Sequence, residues 1–121
     1  MELIKIFDLV KNKEIKDSVI LGQFINPSNP LAHYETTGKE IIEKLGNDIG
    51  GFVSGIGTGG TLMGVARRLK ENNENTKIYA LEPEKMPLLS KNQIFENHKI
   101  EGIGDDFIPK IVERDKIDEI V

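Results

Sequence analysis

Seven residues, Gly55-Ile56-Gly57-Thr58-Gly59-Gly60-Thr61, combine bare backbone with two hydroxyls. They follow an apolar pair, Phe52 and Val53, and precede apolar positions at helical spacing, Leu62, Met63, Val65, Ala66 and Leu69. Strand, glycine turn and helix in that order bring unpaired N–H groups to a helix N-terminus, where they suit an anion. Glycine lets the backbone approach the anion without a Cβ and permits positive φ. Thr58 and Thr61 add hydroxyl donors.

The elements around this turn follow from periodicity and punctuation. Leu3, Ile6, Phe7 and Val10 predict a first helix ending near Lys13, and Ser18 to Leu21 a short buried strand. Two asparagines and two prolines make Gln23 to Pro30 a loop, and a helix from Leu31 to Leu45 ends at Gly46-Asn47-Asp48. Strands are predicted over Phe52–Ser54 and Lys77–Glu82, with a helix over Gly60–Asn72 between them. Met86 to Lys99 reads as irregular, Gly102-Ile103-Gly104 as a second glycine turn, and Lys110 to Glu113 as a short helix. Asp118 to Val121 reads as a strand cut short by the chain end, as in a piece of something larger. Strands alternating with helices predict an α/β fold with a parallel sheet.

The composition excludes several classes. Of 121 residues none is cysteine, which removes disulfides, thiolate metal sites and a cysteine nucleophile. A net charge of −4 disfavours nucleic acid or an anionic membrane as the main partner. Arg67, Arg68 and Lys70 read as a solvated helix face. No apolar run approaches the ~20 residues of a membrane span, and the N-terminus lacks a secretory pattern, so a cytoplasmic protein is the expectation. One domain of this length buries roughly two-thirds of its unfolded surface, enough for a core.

Two ligands suit the turn. Gly55, Gly57 and Gly60 satisfy G-x-G-x-x-G, and Glu82, 22 residues beyond Gly60, stands where an acid would bind an adenosine ribose. That is a dinucleotide reading, an NAD-dependent oxidoreductase lobe. The other is a cup for the terminal phosphate of pyridoxal phosphate, whose oxygens favour the denser ring of donors formed by Gly59, Gly60, Thr58 and Thr61. Local chemistry leaves both open.

Flanking motifs separate them. Gln23-Phe24-x-Asn26-Pro27-x-Asn29-Pro30, Thr36-Thr37-Gly38-x-Glu40-Ile41, the glycine turn, Glu82-Pro83, and His98-Lys99-Ile100-x-Gly102-Ile103-Gly104-x-x-Phe107-Ile108-Pro109 occur in that order. Together they resemble the cysteine synthase (O-acetylserine sulfhydrylase) family of fold-type II pyridoxal-phosphate enzymes, with the cystathionine β-synthase core closely similar. The resemblance runs from about Ser18 to Val121. It implies a partial large (C-terminal) cofactor-binding domain over residues 1–121, part of a three-layer parallel-sheet fold like that of tryptophan synthase β.

By that resemblance Gly57, Thr58, Gly59, Gly60 and Thr61 hold the cofactor phosphate, Gly102 lies against cofactor and substrate, and Gln23 binds the substrate carboxylate. Thr36, Thr37 and Gly38 would pack helices, Glu82 would cap a loop, and Ser90 lacks the setting of a nucleophile. His33 and His98 have no partner at metal-ligand spacing and read as structural. Asp105-Asp106 stands where many relatives carry small residues, which would alter the site entrance. The Schiff-base lysine, the Ser/Thr-Gly-Asn-Thr loop and the serine for the pyridine nitrogen are expected outside the chain, leaving no catalytic residue here. The chain alone would therefore be inactive, a non-catalytic remnant or a regulatory partner of an intact synthase being the alternatives. A homodimer and docking of serine acetyltransferase's C-terminal tail are also implied.

Overall fold

The computed structural model describes residues 15–121; the helix predicted over the first 13 residues lies outside them. In chain order the elements are α1 (Ser28–Glu35), α2 (Thr37–Leu45), β1 (Gly51–Gly55), α3 (Gly60–Asn72), β2 (Lys77–Leu81), α4 (Leu88–Lys91), a 3-10 turn at Arg114–Lys116 and β3 (Glu119–Ile120). The strands form a parallel sheet in the order β1-β2-β3. Gly51 to Gly55 pair in register with Lys77 to Leu81, and Tyr79 and Ala80 with Glu119 and Ile120. This is the α/β architecture the alternation of elements predicts.

Helix α3 is the centre of the packing. Leu62, Met63 and Ala66 join Ile56, Ile78, Ala80, Ile111 and Ile117 in one apolar cluster, while Val65 and Leu69 join Ile49 in a second, against Ile41, Ile42 and Phe52. The helix is thus apolar towards both the sheet and its helical neighbours. Two glycines permit the close crossing. A Cβ on Gly64 would overlap the Pro30 carbonyl, and one on Gly38 would stand 2.7 Å from Arg68 Cβ. Gly38 packs helices, as its motif implied.

Several expectations are corrected. Ser18 to Leu21 is not a strand: among the described residues it pairs with no neighbour, Val19 and Leu21 are 80% and 77% exposed, and the Leu21 carbonyl accepts from Asn26 Nδ2 at 2.9 Å. An apolar run alone does not supply a sheet edge. The predicted helix over Leu31–Leu45 is two helices, broken at Thr36, whose N–H and hydroxyl both donate to the Ala32 carbonyl, at 2.9 and 2.7 Å. A threonine hydroxyl bonded back to its own turn competes with regular helix and bends it.

The helix also starts earlier than predicted, at Ser28. Pro27 is its N-cap and Pro30 lies in its first turn, where a missing N–H is tolerated. The short helix expected at Lys110–Glu113 is a turn, with Val112 N–H donating to the Pro109 carbonyl at 3.0 Å, and helical geometry comes later, at Arg114–Lys116. Within the stretch read as irregular, Leu88–Lys91 forms one helical turn. The helix over Gly60–Asn72 is as predicted.

Candidate functional site

The glycine turn joins the C-terminal end of β1 to the N-terminus of α3. Gly59, the N-cap, has φ +87°, and a Cβ there would overlap Val112. A Cβ on Gly57 would overlap the Gly102 carbonyl, and one on Gly60 the Asn29 carboxamide. Each of the three glycines is therefore imposed by a neighbour, and Gly59 by its backbone conformation as well. The second glycine turn lies alongside: Gly104 N–H donates to the Ile56 carbonyl at 2.9 Å, and Gly102 and Gly104 have φ +84° and +69°.

Among the described residues the N–H groups of Gly57, Thr58, Gly59, Thr61 and Leu62 have no hydrogen-bond partner. The first turn of a helix always leaves such donors, and here three further N–H groups of the preceding turn join them. Gly60 N–H donates to Thr58 Oγ1 at 3.2 Å. The same oxygen accepts from Asn29 Nδ2 at 2.8 Å, and Asn29 Nδ2 also donates to the Gln23 carbonyl at 2.9 Å. Thr61 Oγ1 lies 3.3 Å from His33 Nε2, and His33 Nδ1 lies 3.0 Å from Thr37 Oγ1.

The structure thus brings together Gly57, Thr58, Gly59, Gly60, Thr61 and Gly102, and ties the Gln23 backbone to them through Asn29. The Gln23 side chain is exposed. Asn29 belongs to the Gln23 to Pro30 motif, which does not by itself assign it a task; its offset of six residues from Gln23 is the signal the sequence carries. His33 is hydrogen-bonded as a structural histidine, yet its partner Thr61 belongs to the turn.

The remaining candidates hold structure. His98 Nδ1 accepts from Ile100 N–H at 3.1 Å, so Nε2 carries the proton that it donates to the Gly104 carbonyl at 2.7 Å. Glu82 accepts from Leu89 N–H at 2.8 Å, Ser90 N–H at 3.1 Å and the Ser90 hydroxyl, capping α4. Both its oxygens are engaged in holding α4, the capping role the resemblance implied. Among the described residues no three His, Asp or Glu side chains form a metal-binding group.

A cavity of about 30 Å³ beside the turn is lined by Gly57, Glu82, Gly104, Asp105 and Phe107 among others, and among the described residues no lysine lines it. Burial, and then the neighbouring Asp106 charge, push the Asp105 carboxyl above its ordinary range, with His98 opposing. A larger groove of about 600 Å³, along Pro30, Tyr34, Met63, Arg67 and Ile111, shares no residue with the turn. On its rim Tyr34 Oη donates to Glu71 at 2.5 Å and the Arg67 guanidinium lies 4.6 Å from the Tyr34 ring centre.

Residues 5–121 match the family described as pyridoxal-phosphate dependent enzyme, and the chain belongs to it. Its relatives include cysteine synthase B of Campylobacter jejuni, 46% identical over 105 residues, covering 87% of this chain and 35% of that protein. Cystathionine beta-synthase of Apis mellifera is 45% identical over 111 residues, covering 88% of this chain and 22% of that protein. The crystal structure of cysteine synthase from Entamoeba histolytica superposes with a TM-score of 0.88 at 36% identity, over 98% of this chain and 34% of that one. The chain spans between about a fifth and about a third of these relatives.

Proposed function

We propose that Gly57–Thr61 hold the phosphate end of pyridoxal 5'-phosphate, that the Gly102 backbone lies against the cofactor, and that Gln23 binds the carboxylate of an amino-acid substrate. The intact protein would make cysteine from O-acetylserine and sulfide by β-replacement. One observation carries the reading: five N–H groups without partners among the described residues, and two threonine hydroxyls, gather where three side chains are excluded. A phosphate monoester at neutral pH offers acceptors and almost no donors, so it matches a turn that presents unpaired N–H groups. When bound, the cofactor supplies an electron sink for the carbanion formed at the substrate α-carbon.

The residues of this chain bind and orient. The donors of the turn fix the phosphate, the Gly57–Gly102 contact keeps side chains out of the space beside it, and the exposed Gln23 carboxamide offers N–H donors to a carboxylate. Among the described residues no lysine lines the adjoining cavity, and we assign the covalent chemistry to a lysine outside this set. The 121-residue chain alone is then inactive.

Titration of the ¹⁵N-labelled chain tests the binding step. Pyridoxal 5'-phosphate is expected to shift the amides of Gly57 to Leu62, and pyridoxal lacking the phosphate is not. Equal responses to both, or none to either, would refute the phosphate reading. NAD is expected to leave these amides unmoved. For the reaction, the chain would replace the matching segment of the Campylobacter jejuni cysteine synthase, and the chimera would be assayed for sulfide-dependent consumption of O-acetylserine. The Apis mellifera relative favours a second reading within the family, so cystathionine formation would be assayed in parallel.

A further inference from the structure

We infer that Asn29 is a positioning residue: it makes the Thr58 hydroxyl an obligate donor toward the bound phosphate and ties that hydroxyl to the Gln23 loop. The inference rests on the phosphate reading above and goes beyond it, because Asn29 itself donates nothing to the anion.

A hydroxyl has one proton and two lone pairs, and left alone it presents either to a neighbour. Before a phosphate, a lone pair repels and a proton attracts. Thr58 Oγ1 accepts two hydrogen bonds, from Gly60 N–H at 3.2 Å and from Asn29 Nδ2 at 2.8 Å. Both lone pairs are thereby used, and donation is the only bond left for the hydroxyl to make. The Gly60 bond is local and comes with the turn. The Asn29 bond comes from helix α1, 29 residues away in sequence.

The carboxamide can stand only one way round. Its second N–H donates to the Gln23 carbonyl at 2.9 Å, whereas the flipped amide would set Oδ1 against that carbonyl, acceptor against acceptor. Gly60 provides the room: a methyl group at that position would overlap the Asn29 carboxamide. Gly60 thus serves the Asn29–Thr58 contact as well as the approach of an anion. One side chain therefore links the Thr58 hydroxyl to the backbone of Gln23, and hydrogen bonds arranged in series polarise one another.

The test is a double-mutant cycle on the full 121-residue chain, read as dissociation constants for inorganic phosphate and for pyridoxal 5'-phosphate from the Gly59 and Leu62 amide shifts. Asn29→Ala and Thr58→Val are each expected to weaken binding about tenfold. In the Thr58→Val background Asn29→Ala is expected to cost less than a further twofold, because the hydroxyl it orients is gone. A merely structural asparagine would weaken both backgrounds alike, and that result would overturn the inference, as would unchanged affinity in Asn29→Ala. Should Asn29→Ala not fold, the isosteric Asn29→Asp serves in the same cycle. Its carboxylate accepts from Thr58 instead of donating, so the loss in the native background should exceed that of Thr58→Val. Failure of the unmodified chain to bind either probe strikes the phosphate reading first, whereas binding that is sensitive to Thr58 but not to Asn29 strikes this inference alone.

Discussion

The carbonyl oxygen of Gly102 occupies the space in which a side chain on Gly57 would begin. Two glycine turns separated by 45 positions are therefore in backbone contact, and the Gly104 N–H to Ile56 carbonyl bond holds them there. A backbone obstacle yields less readily than the end of a flexible side chain. Gly57→Ala is expected to cost about 1–3 kcal/mol, as overpacked sites do, and to abolish the amide response to pyridoxal 5'-phosphate. Gly102→Ala provides the contrast. Among the described residues nothing lies within 4 Å of its missing Cβ, but its φ of +84° is left-handed, so strain of about 1–2 kcal/mol is expected with the phosphate response retained. Urea denaturation and the titration described above measure both effects. A Gly57→Ala protein as responsive as the parent would remove the role given to this contact.

Beneath the turn, Leu62 is fully buried in the cluster that joins α3 to the sheet, whereas Leu81, at the end of β2, is 43% exposed. Truncation to alanine should separate them. Leu62→Ala is expected to lose about 2–5 kcal/mol through lost transfer energy and a residual cavity, and Leu81→Ala about 1 kcal/mol or less. Chemical denaturation of the two variants distinguishes a core anchored on α3 from one spread evenly over the sheet.

Asp118 ends the sheet by side chain and backbone together. Its Oδ2 accepts from Ile78 N–H at 2.8 Å and pairs with Lys70 Nζ at 2.8 Å, while its own N–H donates to the Ile78 carbonyl at 2.9 Å. The Lys70 bond first, and the Ile78 N–H second, hold its carboxyl below the ordinary range. A depressed folded pKa means that the folded state favours the charged form. The stability this contributes is complete above the unfolded value of about 3.9 and is lost as pH falls through the lower folded value. Asp118→Asn keeps an acceptor for Ile78 but removes the charge. The stability gap between the two proteins should be constant near neutrality and close progressively below about pH 4. Urea midpoints through the acid range check this, and curves that stay parallel there would contradict it.

What was legible in the sequence follows from how local each determinant is. Helix α3 carries its own signal, with glycines before it, Leu62, Val65, Ala66 and Leu69 at helical spacing, and Asn72-Asn73 at its end. The glycine turn and Glu82 were legible for the same reason, since turn chemistry is written in adjacent residues. Ser18 to Leu21 misled because a strand also needs a neighbour to pair with, and the described sheet offers it none. The break at Thr36 depends on one hydroxyl bonding back to Ala32, which composition does not reveal. The task of Asn29 is not legible because both its partners, Gln23 and Thr58, are chosen by the way α1 crosses α3. Within the site, the groups that would face the anion were readable, and those that orient them were not.

Asp105 shows the opposite displacement from Asp118, and so the opposite sign. It lines the cavity beside Gly57, and burial, reinforced by Asp106, raises its carboxyl above the ordinary range. The folded state therefore holds the proton more tightly than the unfolded chain does. Near neutrality both states are ionised and the folded state bears the full cost of the charge. Below the unfolded value of about 3.9 both are protonated and the cost disappears. Asp105→Asn should accordingly be more stable than the parent at pH 7, and this advantage should vanish as pH falls below about 4. Because part of the shift comes from Asp106, the gain from Asp105→Asn should shrink in an Asp106→Asn background. Removing a negative charge beside Gly57 should also tighten binding of pyridoxal 5'-phosphate in the amide titration. Stability that is unchanged at neutral pH, with affinity unchanged as well, would show that the two aspartates neither strain the fold nor repel an anion at its entrance.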